Sequence, residues 1–100
     1  MVKEFSEKRS LIHIKCHEAC LNLGFKIYKE DVNDGIILFK VGMTLWSFGE
    51  KFKIAISSAE ANLTKVEIAS EAALAAQIYD WGKNDKNVTN FFQTLKNLLK

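Results

Sequence analysis

The stretch FKIYKEDVNDGIILFKV, residues 25–41, decides the fold. Phe25 and Ile27 alternate with Lys26, Tyr28 and Glu30, a period of two that marks a strand with one wet face. Asn33-Asp34-Gly35 breaks the alternation with turn chemistry, and an apolar run resumes at Ile36. The turn length follows from which face is apolar. A two-residue loop at Asp34-Gly35 would set Phe25 and Ile27 on the same face as Lys40. A three-residue loop, Asn33 to Gly35, instead gathers Phe25, Ile27, Ile37, Phe39 and Val41 on one face and ends on a residue suited to left-handed backbone. The sequence therefore predicts a hairpin with a first strand over 25–32 and a three-residue turn.

Beyond the hairpin, a third strand is expected over about Glu50–Ser57, with Phe52, Ile54 and Ile56 inward and Lys51 and Lys53 outward. A turn at Ser58–Asn62 leads to a fourth, Leu63–Ser70, with Thr64, Val66 and Ile68 inward against Lys65 and Glu67. The pattern fails from Glu71 to Gly82; Glu71–Ala76 has helical propensity but is too short to hold itself helical, and this stretch stays unassigned. The period returns to 3.6 over about Asp85–Leu99, where Val88, Phe91, Phe92, Leu95, Leu98 and Leu99 form one stripe and Asn84 or Asp85 serves as cap. On the N-terminal side, Ser6–Leu23 reads as a helix that gathers Ile12, Cys16, Ala19, Cys20 and Leu23 on one side, with Gly24 as its stop. The expected class is α+β: an α-β-β-β-β-α two-layer sandwich, a four-stranded antiparallel meander with both helices packed on one face.

Composition agrees with one such domain spanning residues 1–100. Hydrophobic types make up 48% and charged types 26% of the 100 residues, which excludes a disordered or collagen-like chain. A net charge of +2 is too weak to demand nucleic acid or an anionic membrane. Neither a membrane-spanning run nor a signal-peptide core is visible, and two cysteines four apart are not a secreted disulfide framework. A cytoplasmic location is expected, with no cofactor pattern.

Several constellations could carry chemistry. His13, Cys16, His17 and Cys20 lie on one side of the first helix, four zinc-competent side chains with no other His or Cys in the chain to complete a shell. Small core cysteines with flanking histidines are the plainer reading. Lys26, Lys40, Lys51, Lys53 and Lys65 share the outer sheet face with Glu30 and Glu67, which is an ordinary solvated face or a weak RNA-binding one. Tyr28, Val32, Ile36 and Leu38 add apolar surface there.

Two short segments are over-specified: Ser47-Phe48-Gly49-Glu50 before the third strand, and Asp80-Trp81-Gly82-Lys83-Asn84 before the last helix. On these, and on Asn87-Val88, the chain from about Leu11 onward resembles a small uncharacterised bacterial domain family with Ser-aromatic-Gly-Glu and Asp-Trp-Gly-x-Asn motifs. Phe48 stands where that family often has tryptophan. The resemblance implies a fold and brings no activity. Read physically, Trp81 closes the edge of the core and the glycines allow tight turns. Alternatively Trp46, Glu50, Asp80, Trp81, Lys83, Asn84 and Asn87 line a ligand site, in which Lys83, Asn84 and Asn87 lie beside the free amides of the last helix and suit an anion, and Asp80 and Glu50 form a carboxylate pair. There is no nucleophile motif and no phosphate loop. The expected function is a non-enzymatic interaction or small-ligand-binding domain; the alternative is a metal- or thiol-dependent activity on the first helix.

Overall fold

The structure is a computed structural model that describes residues 1–42, 50–70 and 86–100. Strand β1 (Val2–Phe5) precedes helix α1 (Arg9–Asn22), followed by β2 (Lys26–Asp31), β3 (Ile36–Val41), β4 (Glu50–Glu60), β5 (Leu63–Ser70) and helix α2 (Lys86–Leu98). The strands form one antiparallel sheet in the order β1-β5-β4-β3-β2. Phe52, Ile54, Ile56, Val66 and Ile68 on one face join Ile12, Cys16, Ala19 and Cys20 of α1 and Val88, Phe91, Phe92 and Leu95 of α2 in a single core. Stacked rings run through it: Phe25 on Phe39 at 4.9 Å, Phe39 on Phe52 at 5.2 Å, and Phe39 beside Phe91 at 6.3 Å.

The α+β class holds, but the sheet has five strands where four were expected. The extra strand, β1, pairs with β5 from Val2↔Glu67 to Phe5↔Thr64, so the meander β2–β5 gains a further antiparallel edge strand from the N-terminus. Four residues reading Val-Lys-Glu-Phe carry almost no periodic signal, and their pairing partner lies some sixty residues away. Ladder bonds from the Met1 ammonium to the Ile68 carbonyl (2.9 Å) and from the Ile68 amide to the Met1 carbonyl (2.9 Å) hold this edge. Because the chain is extended there, α1 begins at Arg9 rather than near Ser6.

Helix α1 ends as its glycine requires. Gly24 has φ +73°, its amide donates to the Leu21 carbonyl (3.1 Å), and the Phe25 amide donates to Cys20 (2.9 Å), the paired bonds of a left-handed helix cap. At the far end of the sheet, β4 continues to Glu60, so the expected Ser58–Asn62 turn shrinks to Ala61-Asn62, with a bulge between Ser58 and Glu60.

The first hairpin corrects a second expectation. Asp31 pairs with Ile36, so the turn is the four residues Val32–Gly35 rather than three. Closer to α1, Ile27 pairs with Phe39 but Lys29 pairs with Leu38, leaving Tyr28 as an extra residue in a β-bulge. The two one-residue shifts cancel in parity, so Ile27 still shares the face of Phe39. Between turn and bulge the faces are exchanged. Glu30 stands opposite Ile37 and turns toward the helices, whereas simple alternation places it outward. Arg9 fastens the turn by donating to the Asn33 carbonyl (3.1 Å), and at Gly35, with φ +68°, a Cβ would collide with the Ile56 carbonyl.

Candidate functional site

The inward turn of Glu30 creates the most connected polar cluster among the described side chains. His13 Nε2 lies 2.7 Å from Glu30 Oε2, and His17 Nδ1 lies 2.9 Å from Glu30 Oε1. One turn of helix separates the two histidines, so both rings reach the same strand, and each oxygen of one carboxylate accepts from one ring. The environment is graded: His13 is 4% exposed as a residue, whereas the side chains of Glu30 and His17 are 23% and 40% exposed.

His13 Nδ1 is buried with no hydrogen-bond partner. An orphaned N–H in that position would cost more than an orphaned lone pair, so the geometry selects the tautomer with its proton on Nε2, donated to Glu30. His17 meets the carboxylate through Nδ1, so its proton there is donated to Glu30 and its Nε2 takes no part in that bond.

Beside the cluster is an open depression of about 370 Å³ between α1 and the hairpin turn. Ser10, Ile14, His17 and Glu18 line it from the helix, Glu30 and Val32 from β2 and the turn, and His13 lies at its base. Ile14 is 56% and Val32 60% exposed, so apolar side chains supply much of the accessible surface of the depression. Glu18 is loosely paired with Lys15 at 3.5 Å.

Cys16 and Cys20 do not join the histidines. Both are free thiols with no exposed surface, packed in the core. Burial raises both thiols above their ordinary range; Cys20 is pushed up to about 12, with the Glu30 charge as a second cause. Such thiols stay protonated and poor as nucleophiles or metal ligands. Among the described residues, no group of three or more His, Cys, Asp or Glu side chains is arranged to hold a metal ion. The helix thus divides the sequence's four candidates into a buried thiol pair and a carboxylate-bound histidine pair.

Of the other expected site residues, Glu50 opens β4 opposite Val41 and Asn87 lies in the first turn of α2. Trp46, Asp80, Trp81, Lys83 and Asn84 lie outside the described residues, as do the stretch left unassigned from Glu71 to Gly82 and the proposed caps of the last helix. Glu30 was missed as a partner of the histidines. Its signal was an acidic residue within reach of a His-x-x-x-His helix, hidden by a bulge that no spacing announces. No helix among the described residues is long and apolar enough to cross a membrane. Comparison of the chain with known protein-family models gives no match, and comparison with curated proteins gives none.

Proposed function

We propose that this chain is a non-catalytic binding domain whose ligand or partner seats in the depression between α1 and the first hairpin. One observation carries the reading: a carboxylate with both oxygens committed to two imidazoles underlies an open, apolar-rimmed hollow. Committed hydrogen bonds fix the shape of the floor, and exposed Ile14 and Val32 offer contact area that a monomer gains nothing by leaving wet. Buried, protonated thiols support binding over thiol chemistry. The ligand class expected here is a small molecule, or a protein side chain, with an apolar body.

Indole, a neutral aromatic probe, tests this in a two-dimensional amide NMR titration. Saturable shifts are expected at Ile14, His17 and Val32 and should vanish in Ile14→Asp/Val32→Asp. Shifts that are absent, or that survive this double substitution, would overturn the assignment. A metal-dependent reading retains only His17, through its Nε2; stoichiometric metal in the native protein, lost in His17→Ala, would favour it over simple binding.

A further inference from the structure

The opposite face of the sheet carries an arrangement that only the strand register reveals. Lys26 pairs directly with Lys40, and Lys40 pairs directly with Lys51, so three lysines stand in one row across β2, β3 and β4. Like charges placed opposite one another on neighbouring strands destabilise a sheet. Among the described residues no carboxylate stands in that row. Tyr28, the bulge residue, offers partial compensation: Lys40 Nζ lies 4.9 Å and Lys51 Nζ 5.8 Å from its ring centre.

The next row repeats the theme with an apolar centre. Lys29 pairs with Leu38 and Leu38 with Lys53, and these three border a hollow of about 350 Å³ floored by Leu38 and Ile36. Asp31 and Asp34 close its far side, toward the hairpin turn, and so set the direction in which an anion is excluded. The two helices among the described residues spend their buried stripes on the other face of the sheet. Among the described residues the outward face therefore presents a line of positive charge, an aromatic ring beside it, and a hollow of mixed character in which Ile36 and Leu38 lie between two more lysines and the two aspartates.

We propose that this face docks single-stranded nucleic acid. A single strand offers the two things the face lacks, phosphates to relieve the repulsion along Lys26–Lys40–Lys51 and flat bases for Tyr28 and the Leu38 hollow. Neighbouring strands are about 4.8 Å apart, so the row spreads its ammonium groups over roughly 10 Å, within reach of successive phosphates. A duplex keeps its bases stacked inside and would use only the charge. This inference is independent of the depression beside α1, which lies on the helix side of the sheet.

Fluorescence anisotropy with a labelled uridine 12-mer tests it on the intact chain. Binding is expected at 50 mM salt and should weaken on a log–log plot with a slope of about −2, from three phosphate contacts on a single strand. Lys40→Gln should flatten that slope by about 0.7 and melt no lower than wild type, because it removes repulsion as well as a contact. Tyr28→Leu should weaken the 12-mer about tenfold, as loss of a stacking partner does, and leave inorganic polyphosphate unaffected. Lys96→Gln, on α2, is the control and should change neither. The proposal fails if the 12-mer does not bind, if Lys96→Gln weakens it as much as Lys40→Gln, or if Tyr28→Leu has no effect. Retention on phosphatidylglycerol vesicles with no binding of the 12-mer would also overturn it, in favour of a membrane surface.

Discussion

Helices α1 and α2 press on the same face of the sheet, yet they bury different chemistry. Helix α2 sends Val88, Phe91, Phe92 and Leu95 into the core and keeps polar residues outside, a clean division. Helix α1 buries a histidine and two thiols among its core residues and exposes Leu11, Ile14 and Leu21. Stability alone selects the first pattern. The second leaves apolar area in water and places an ionisable ring inside, arrangements that proteins tolerate where a surface has a further use. Under the binding role proposed above, α2 is the scaffold in this comparison and α1 carries the surface.

The largest effect should fall on the scaffold. Phe91 is fully buried, lies 6.3 Å from Phe39 and meets Phe92 edge-on at 5.5 Å. Truncation of such a ring typically costs about 3–5 kcal/mol. That is a large share of the roughly 5–15 kcal/mol that holds a domain folded. Phe91→Ala should therefore shift the urea midpoint steeply downward or abolish folding. A small shift would mean that α2 is not the scaffold, and the comparison would break.

The polar cluster of α1 should come next. Glu30→Ala removes the acceptor of both imidazoles and leaves His13 buried with neither ring nitrogen paired. Orphaning a buried hydrogen-bond partner costs about 1–3 kcal/mol, and a loss in that range is expected. Replacing both partners with apolar groups should recover most of it, since nothing polar is then left unpaired. His13→Leu/Glu30→Leu is accordingly expected to unfold at higher urea than Glu30→Ala. If the double substitution is the less stable, the cluster contributes more than the satisfaction of its own polar atoms.

Burial of the thiols predicts a pH effect of definite sign. Cys20 titrates from 9.0 when unperturbed to about 12 in the fold, and Cys16 is raised in the same direction. A raised folded-state value means that the neutral thiol is favoured by folding. The resulting stability is fully present below pH 9 and is lost as pH rises through about 12. Urea midpoints should fall over that window in the wild type and fall less in Cys16→Ala/Cys20→Ala. Each alanine should itself cost on the order of 1 kcal/mol at neutral pH, as loss of a small buried group does. Rapid labelling of either thiol by iodoacetamide in the native state at pH 7.5 would contradict the placement of this pair in the core.

The two hairpins explain which of these features the sequence could announce. Along β4 and β5, Phe52, Ile54 and Ile56 and then Thr64, Val66 and Ile68 alternate without interruption through the paired core, and reading every second residue gives the buried face directly. Along β2, the inserted Tyr28 exchanges inside for outside over the next residues, and Glu30 lands among the helices. A period of two cannot signal its own interruption when the residues beyond it are Lys29, Glu30 and Asp31, all equally at home in water. His13 and His17 are legible as candidates from their helix spacing, whereas the carboxylate that joins them is hidden by the same bulge that turns it inward. Strand β1 escaped on different grounds: an edge strand of four residues needs only one partner and one half-buried ring, so Phe5 against Phe92 at 6.5 Å is nearly all its sequence had to encode.

The smallest stability effect should belong to the residues proposed to matter most for binding. Ile14 and Val32 are more than half exposed, so polar replacements remove little buried area and should change folding free energy by no more than about 0.5 kcal/mol. Ile14→Ser/Val32→Thr keeps the His13–Glu30–His17 bonds, because neither residue takes part in them. The rim would then lose its apolar character over an intact floor. Thermal unfolding should be nearly unchanged while indole affinity drops several-fold. Glu30→Ala should do the opposite in proportion, losing stability first and affinity as a consequence. If the rim variant instead unfolds as readily as Glu30→Ala, then Ile14 and Val32 already serve the fold, and the exposed side of α1 is structural after all.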